Sequence, residues 1–159
     1  MPVGGTRLAE ASSRCGRVSP PGEREQNVVV EEVMSSEPLA VEANESVTAA
    51  REKLMESQVR QLPVAEHGML VGMISDRDIP PMLVESVPET GSKNLEGRPI
   101  SNLMSVDVLA VYPQSQVTEA IDLMLEHGVG IIPVVDPDNQ GLLGAISYVD
   151  VLRAARPFL

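Results

Sequence analysis

Apolar and polar positions follow the same course twice along this chain, which indicates two units of the same structure. Each unit begins with a short apolar stretch, 39–41 in the first and 109–111 in the second, that predicts a brief strand. Apolar side chains then recur at helical i, i+3 and i+4 spacing from Val47 and from Val117, as on a helix with one buried face. We therefore expect a strand followed by an amphipathic helix in both units.

The second half of each unit contains two apolar runs joined by a polar turn, a pattern typical of a β-hairpin. A further helix is predicted to begin at Ser75 in the first unit and at Ser147 in the second. The order in each unit is therefore strand, helix, strand, strand, helix. The predicted hairpin strands are 62–65 with 69–74, and 131–135 with 142–146.

The two units are related in sequence as well as in pattern. Residues 33–65 align without a gap onto 103–135 at a constant offset of seventy positions. After a two-residue insertion in the second copy, 72–78 aligns with 144–150. Related units in one short chain usually pack around a pseudo-twofold axis and share one core. Any site at their junction should then occur twice.

The repeats divide the chain into four predicted segments. The N-terminal segment is rich in Gly, Ser, Pro, Arg and Glu without a hydrophobic period, and we expect it to be disordered. The segment between the repeats is polar and rich in turn residues, as expected of a linker. The predicted boundaries are 1–29 for the tail, 30–85 for the first repeat, 86–98 for the linker and 99–156 for the second repeat.

One local feature distinguishes the repeats. Pro80 and Pro81 fall about one turn into the helix that starts near Ser75, where proline removes interior hydrogen-bond donors. The second repeat has no proline at the corresponding place. We therefore expect the last helix of the first repeat to be shortened or distorted.

Charge and composition narrow the function classes. The 159-residue chain carries a formal charge of −11, and because residues 1–29 hold four Arg against three Glu, the remainder carries −12. Such a surface repels phosphate backbones and anionic lipid, and the chain has only one Phe, two Tyr and no Trp for base stacking. The single Cys15 excludes an internal disulfide. No apolar run approaches ~18 residues, and no signal peptide is recognised, so we expect a soluble cytoplasmic protein that binds neither nucleic acid nor membrane.

The most specific local pattern is Gly-x-Ile-Ser-x-x-Asp, which occurs at 72–78 and again at 144–150. This closing motif has a purely structural interpretation, because Ser-x-x-Asp resembles a capping box at a helix N-terminus. Capping is compatible with binding, however. A helix N-terminus suits a phosphate, and a carboxylate one turn further on can accept hydrogen bonds from both hydroxyls of a ribose.

The closing motif also completes a known pattern. The entry segments Val33-Met34-Ser35 and Leu103-Met104-Ser105 and the Leu/Ile-Pro-Val strands at 62–64 and 132–134 occur in the same order in both copies. With these motifs, residues 30–155 resemble a tandem pair of CBS domains, or Bateman module, as in stand-alone CBS domain-containing proteins. The resemblance implies an α/β fold of two β-α-β-β-α repeats related by a pseudo-twofold axis and sharing one core.

The resemblance also implies two clefts between the repeats that bind adenosine-containing ligands: AMP, ADP, ATP with Mg²⁺, or S-adenosylmethionine. The closing-motif Asp would hold the ribose, the Ser would lie near the phosphates, and the other repeat would build the adenine pocket. We name the clefts by these acids. The candidates for the Asp78 cleft are Ser75, Arg77, Asp78, Ser105, Leu109, Ala110, Gly130 and Ile131, and those for the Asp150 cleft are Ile146, Ser147, Asp150, Ser35, Leu39, Ala40, Arg60 and Gln61.

Two arginines differ between the repeats and bear on the ligand. Arg77 stands where the second repeat has Val149, and Arg60 where it has Gly130. Each is a candidate for contact with a phosphate, with a solvated surface arginine as an equally weighted alternative. Few other cations are in reach, which favours AMP or a singly charged adenosyl compound over ATP. Tyr148 could stack on a base, although packing beside its helix is favoured.

No catalytic constellation is found: the sequence shows no nucleophile beside a base, no Walker-type phosphate loop and no acid–base pair. We therefore expect a regulatory binding module that is not an enzyme and requires no cofactor or metal. It would signal its ligand state to an unknown regulated protein, as a homodimer of the kind that similar modules form. The alternative is an interaction scaffold that dimerises without a ligand.

Overall fold

The computed structural model describes residues 7–8, 27–37, 39–57, 59–79 and 98–159. It contains three α-helices and seven strands within those residues. The helices are α1 (Val47–Ser57), α2 (Val117–His127) and α3 (Tyr148–Ala155). The strands are β1 (Arg7–Leu8), β2 (Val41–Glu42), β3 (Gln61–Glu66), β4 (Met69–Ser75), β5 (Leu109–Ala110), β6 (Ile131–Val135) and β7 (Leu142–Ser147).

The strands of the two repeats are arranged in the same way. In the first repeat, β2 runs parallel to β3, and β3 forms an antiparallel hairpin with β4. In the second, β6 and β7 form the matching hairpin, and a parallel bridge between Val111 and Val134 joins the end of β5 to β6. Both hairpins have a register shift at the same place, Val64/Ala65 and Val134/Val135. The predicted strand order is therefore confirmed.

The first helix of each repeat begins and ends where local chemistry favours it. The Ser46 hydroxyl accepts a hydrogen bond from the backbone N–H of Ala49 at 3.2 Å, which satisfies one free amide at the start of α1. Gly128 ends α2 with a φ of 64°, in the left-handed region that glycine adopts without steric cost, as its position in the sequence predicts. Both helices bury most of the apolar stripe that their spacing predicts, including Val47 and Val117, but Met55 and Leu125 of the predicted stripes are exposed.

The two hairpins meet at their turns. His67 and Gly68 both have positive φ, 52° and 77°, as in a tight two-residue hairpin turn. The backbone N–H of Leu142 donates to the Gly68 carbonyl at 2.8 Å, and that of Leu70 donates to the Gln140 carbonyl at 3.2 Å. These bonds join the repeats at one end of their junction.

The core consists of two main clusters, and the entry segment of one repeat completes the cluster of the other. Ile100, at the start of the second repeat, is fully buried in the cluster of the first, whereas Val30 is fully buried in the cluster of the second. Backbone hydrogen bonds also cross between the repeats. The Val47 N–H donates to the Arg98 carbonyl at 3.0 Å, and the Val117 N–H donates to the Val28 carbonyl at 2.9 Å. A third, smaller cluster lies across the junction. The repeats therefore depend on each other for their cores.

At the segment ends the structure differs from the sequence-based expectation. Within the predicted tail, residues 7–8 form β1, which pairs in parallel with β5, and Val28 packs against the core of the second repeat. Arg98, predicted to belong to the linker, is hydrogen-bonded to α1 through its carbonyl. The rest of these two predictions falls on 1–6, 9–26 and 86–97, which lie outside the described residues.

Candidate functional site

The entry segment of each repeat pairs with the closing strand of the other. Ser35 and Ala145 exchange two backbone hydrogen bonds, at 2.9 and 3.1 Å between nitrogen and oxygen, and Ser105 and Met73 exchange two at 2.9 Å. Both entry serines are exposed. Their pairing partners, Ala145 and Met73, each lie two residues before the Ser of a closing motif. The structure therefore brings Ser35 towards the Asp150 motif and Ser105 towards the Asp78 motif, as the resemblance implies.

This cross-repeat pairing explains the glycine of the closing motif. A Cβ atom added at Gly72 would lie 2.8 Å from the carbonyl oxygen of Ser105, and one added at Gly144 would lie 2.5 Å from that of Ser35. The sulfur atoms of Met104 and Met34 would lie at 2.7 and 3.0 Å from the same two positions. Glycine is required because the backbones approach so closely.

The second closing motif forms the capping box that one interpretation of the sequence predicts. The Asp150 Oδ2 atom accepts hydrogen bonds from the backbone N–H of Ser147 at 2.9 Å and from its hydroxyl at 2.8 Å. The Ser147 Oγ atom in turn accepts from the Asp150 N–H at 3.2 Å. Two free amides at the start of α3 are thereby satisfied.

The first closing motif makes only part of this arrangement. The Asp78 Oδ2 atom accepts from the Ser75 N–H at 2.8 Å and from its hydroxyl at 2.9 Å, but the Asp78 N–H donates to the Ser75 carbonyl at 3.1 Å. Residues 76–78 form a turn where the second repeat has the first turn of α3. The helix predicted to begin at Ser75 is therefore absent as far as residue 79, and Pro80 and Pro81 lie outside the described residues.

Capping uses one oxygen of each carboxylate and leaves the other available. Among the described residues, Asp78 Oδ1 has no hydrogen-bond partner, and Asp150 Oδ1 has only the guanidinium of Arg153 at 3.9 Å. The Arg153 side chain is 78% exposed, so this ion pair is weak. Each acid can therefore cap its own motif and still accept hydrogen bonds from a ligand.

A cavity of about 340 Å³ lies at the junction of the two repeats. The hairpin registers build its walls, since Gln61 pairs with Ser75 and Ile131 pairs with Ser147. Of the sixteen predicted site residues it gathers seven: Arg60, Gln61, Ser75, Arg77, Gly130, Ile131 and Ser147. The sequence assigns these residues to two separate clefts with one arginine each, whereas the structure places both arginines and both closing-motif serines around one shared cavity.

The remaining predicted residues lie outside the lining of this cavity. Asp78 and Asp150 are half-buried beneath their serines, and Ile146 is fully buried in the core of the second repeat, where no ligand can touch its side chain. The others lie on the entry segments and first strands of the two repeats: Ser35, Leu39, Ala40, Ser105, Leu109 and Ala110.

Two cations face the cavity without a counter-ion of their own. Arg60 and Arg77 are exposed, and within the described residues neither forms an ion pair with a carboxylate. Asp76, which the sequence did not single out, lies in the same wall and offsets part of their charge. On a chain of net charge −11, a cavity with this excess of positive charge is a local attraction for anions.

Tyr148 lies at the mouth of the shared cavity. Its side chain lines the cavity and is 58% exposed, with ring atoms 3.3 and 3.4 Å from where a Cβ on Gly130 would lie. The ring therefore faces the open junction, where it can cover an apolar part of a ligand. Sequence reasoning also missed Val59, Gly128 and Val149 in the lining.

Two searches of the described residues bear on other functions. No helix among them is long and apolar enough to cross a membrane. They also contain no group of three or more His, Cys, Asp or Glu side chains that could hold a metal ion.

The fold and the shared cavity define a class of protein: a pair of small α/β units that exchange their entry segments across a pseudo-twofold junction. The model of the CBS domain family matches this chain at residues 30–79 and again at 100–157. The chain belongs to the CBS domain family and carries a tandem pair of these domains, which confirms the resemblance seen in its sequence.

Curated relatives include short and long proteins. The CBS domain-containing protein YhcV of Bacillus subtilis is 28% identical over 123 residues, which cover 77% of this chain and 81% of YhcV. Homoserine O-acetyltransferase of Methanococcoides burtonii is 29% identical over 125 residues, but these cover 78% of this chain and only 23% of the enzyme. The shared part is thus a small share of the enzyme.

Solved structures of CBS domain pairs are similar over most of the chain. CBSX2, solved in complex with AMP, has a TM-score of 0.67 and 28% identity, covering 82% of this chain and 97% of CBSX2. The CBS domain pair of protein MJ0100, solved in complex with 5-methylthioadenosine and S-adenosyl-L-methionine, has a TM-score of 0.65 and 25% identity, covering 83% and 98%. The α/β fold predicted from the sequence is confirmed.

Proposed function

We propose that this protein is a regulatory module that binds an adenosine-type ligand between its two repeats and passes the ligand state to a partner protein. The candidate ligands are AMP, ADP, ATP with Mg²⁺, and S-adenosylmethionine. The observation that carries the proposal is the shared cavity, because it combines two serines at turn or helix starts with two arginines that form no ion pair with a carboxylate in the described part of the chain. The proposal includes no catalytic step.

The shared cavity is suited to the phosphate end of a ligand. Its volume of about 340 Å³ lies within the range of small-molecule sites. Guanidinium groups bind phosphate oxygens through charge-assisted hydrogen bonds, and serine hydroxyls add neutral donors. AMP suits this set better than ATP, since two arginines and Asp76 give a small excess of positive charge.

The adenosine end would extend from the shared cavity towards the closing-motif acids and the entry segments. Within the described residues, Asp78 Oδ1 has no hydrogen-bond partner and Asp150 Oδ1 has only its weak ion pair with Arg153. Both can therefore accept hydrogen bonds from ribose hydroxyls, while Oδ2 keeps the turn or helix start in place. Similar proteins support the ligand class, because CBSX2 was solved with AMP and the MJ0100 pair with 5-methylthioadenosine and S-adenosyl-L-methionine.

A ligand in this position would act by linkage. It would contact both repeats at once, so it would stabilise the repeat–repeat geometry that fits it best, with coupling commonly about 1–3 kcal/mol. The cross-repeat bonds of Ser35 and Ser105 tie each repeat to the strand that carries the other repeat's closing-motif serine. A partner that distinguishes these geometries would read the ligand state.

The test is calorimetric titration of the full chain with AMP, ADP, ATP and S-adenosylmethionine, with and without Mg²⁺. We expect the double variant Arg60→Ala/Arg77→Ala to weaken AMP binding by about tenfold or more, because charge-assisted hydrogen bonds contribute about 1.5–3 kcal/mol each. Its affinity for adenosine, which lacks the phosphate, should change little.

The matched control is Arg156→Ala, which removes an exposed arginine outside the cavity lining. AMP binding by this variant should equal that of the unmodified chain. A folded protein that binds no member of the panel would contradict the proposal and leave the interaction scaffold as the better account.

We also propose that two copies of the chain associate through α1 and α2. Met55 and Leu125 occupy equivalent positions on these helices and are 69% and 78% exposed. Large apolar side chains at two positions related by the internal pseudo-twofold form a surface that can pair with itself. The variant Leu125→Glu should lower the mass measured by light scattering from dimer to monomer. The control Glu126→Gln, at an exposed neighbouring position, should leave the mass unchanged, and a monomeric unmodified chain would refute the association.

A further inference from the structure

The N-terminal strand β1 occupies an edge that belongs to one of the two candidate clefts. Arg7 and Leu8 pair in parallel with Leu109 and Ala110, the two β5 residues assigned to the Asp78 cleft. The segment that continues from β5 is also paired on its other side, since Val111 N–H donates to the Pro133 carbonyl at 3.0 Å. Within the described residues, the backbone of 109–111 therefore has pairing partners on both sides while β1 is in place.

The equivalent edge of the Asp150 cleft is not covered in this way. Leu39 and Ala40 are the counterparts of Leu109 and Ala110, and among the described residues no strand pairs with them, although the Lys53 Nζ atom donates to the Ala40 carbonyl at 3.3 Å. Side-chain burial follows the same division: Leu39 is 43% exposed and Ala40 half-buried, whereas Leu109 is half-buried and Ala110 is only 3% exposed. The two clefts thus differ in access.

We propose that β1 is an internal competitor that closes the Asp78 cleft to its ligand. The proposal rests on the proposed function, since it concerns access to the same adenosine-type site. A ligand base and strand β1 cannot both occupy the edge formed by the Leu109–Ala110 backbone. The Asp150 cleft fills first, and the Asp78 cleft fills only when the ligand displaces β1.

The pairing is small enough to be reversible. It covers two residues on each strand, so a ligand that makes its own contacts to Leu109 and Ala110 can replace it. If β1 is docked about nine-tenths of the time, the apparent affinity of the Asp78 cleft is reduced about tenfold. Displacement would also free β1, which gives a partner protein a second state to recognise.

The test uses two prolines in the full chain. Proline has no backbone N–H, and adjacent residues of a strand direct their N–H groups to opposite sides, so Arg7→Pro/Leu8→Pro removes whichever amide faces β5. The control Ser12→Pro/Ser13→Pro places two prolines elsewhere in the N-terminal segment. AMP and S-adenosylmethionine are titrated into both variants, each combined with Asp150→Asn, which leaves only the Asp78 cleft intact.

We expect Arg7→Pro/Leu8→Pro to raise the affinity of the Asp78 cleft about tenfold and to speed hydrogen exchange in a peptide spanning 108–112. The control should do neither. Unchanged exchange would show that β1 does not pair with β5, and faster exchange without a gain in affinity would show that it does not compete; either result overturns the proposal.

The variant Asp78→Asn, which keeps only the Asp150 cleft, separates this proposal from the proposed function. If it binds either probe while the Asp78 cleft gains nothing from the prolines, the competition is refuted and the binding function stands. If neither cleft binds either probe in any variant, both are refuted.

Discussion

The Asp78 and Asp150 clefts have nearly the same backbone scaffold and differ at their edges. Both receive an entry segment from the other repeat through a pair of hydrogen bonds, and in both the backbone N–H and hydroxyl of the closing-motif Ser donate to Oδ2 of the Asp. The Asp150 motif opens α3 with a complete capping box, whereas the Asp78 motif ends in a turn at 76–78. The Asp78 cleft is also bordered by β1.

This contrast shows which residues hold the fold and which set access to a ligand. Gly72 and Gly144 are required by the same close backbone approach in both halves, so they belong to the scaffold that the two repeats share. The features that differ, the closing helix and the covered edge, lie at the rim of each cleft. A duplicated fold has thus kept its framework while its two candidate sites became unequal.

The largest expected effect is a loss of stability when either glycine of the shared framework is replaced. Because a Cβ at either position would collide with backbone, Gly144→Ala and Gly72→Ala should each lower the free energy of unfolding by about 3 kcal/mol. For a chain of this size that corresponds to roughly 6–12 °C in Tm, measurable by calorimetry.

The matched control is Gly141→Ala, where the added Cβ would meet the Asn139 side-chain oxygen at 2.8 Å, an exposed group that can move away. Its Tm should fall by much less. If Gly72→Ala were as mild as this control while Gly144→Ala was severe, the two cross-repeat contacts would not be equivalent.

A smaller loss of stability should distinguish the two closing motifs when the serine of each is replaced. Ser147→Ala removes a hydroxyl that caps α3, and we expect a loss of about 1 kcal/mol in unfolding free energy. In Ser75→Ala the lost hydroxyl only donates to Asp78, so the expected loss is about 0.5 kcal/mol. Urea unfolding of both variants checks the ranking, and a greater loss in Ser75→Ala would contradict the asymmetry.

Much of this arrangement follows from the sequence. β-branched and apolar runs bounded by turn residues predict the four hairpin strands to within a residue or two, and Gly128 marks the end of α2. The expected difference between the closing motifs rests on Pro80 and Pro81, and a turn does follow Ser75. The duplicated motifs placed the candidate serines and acids on both halves of one junction.

The remaining features depend on tertiary contacts that leave no local pattern. The pairing of β1 uses backbone groups, so residues 7–8 need no apolar period to take part in it. The exchange of Val30 and Ile100 between cores is decided by how the repeats pack. One feature of the shared cavity does follow from the sequence, because a hairpin register that pairs Gln61 with Ser75 places Arg60 beside the first closing motif.

The central claim is that the clefts between the repeats bind an adenosine-type ligand and that the Asp150 cleft is the accessible one. Calorimetric titration of the full chain with AMP measures the number of tight sites, and repeating it with Asp150→Asn and Asp78→Asn assigns them. We predict one tight site per chain, which Asp150→Asn removes and Asp78→Asn leaves intact. Two equal sites, or a tight site that survives Asp150→Asn and disappears in Asp78→Asn, would contradict this account.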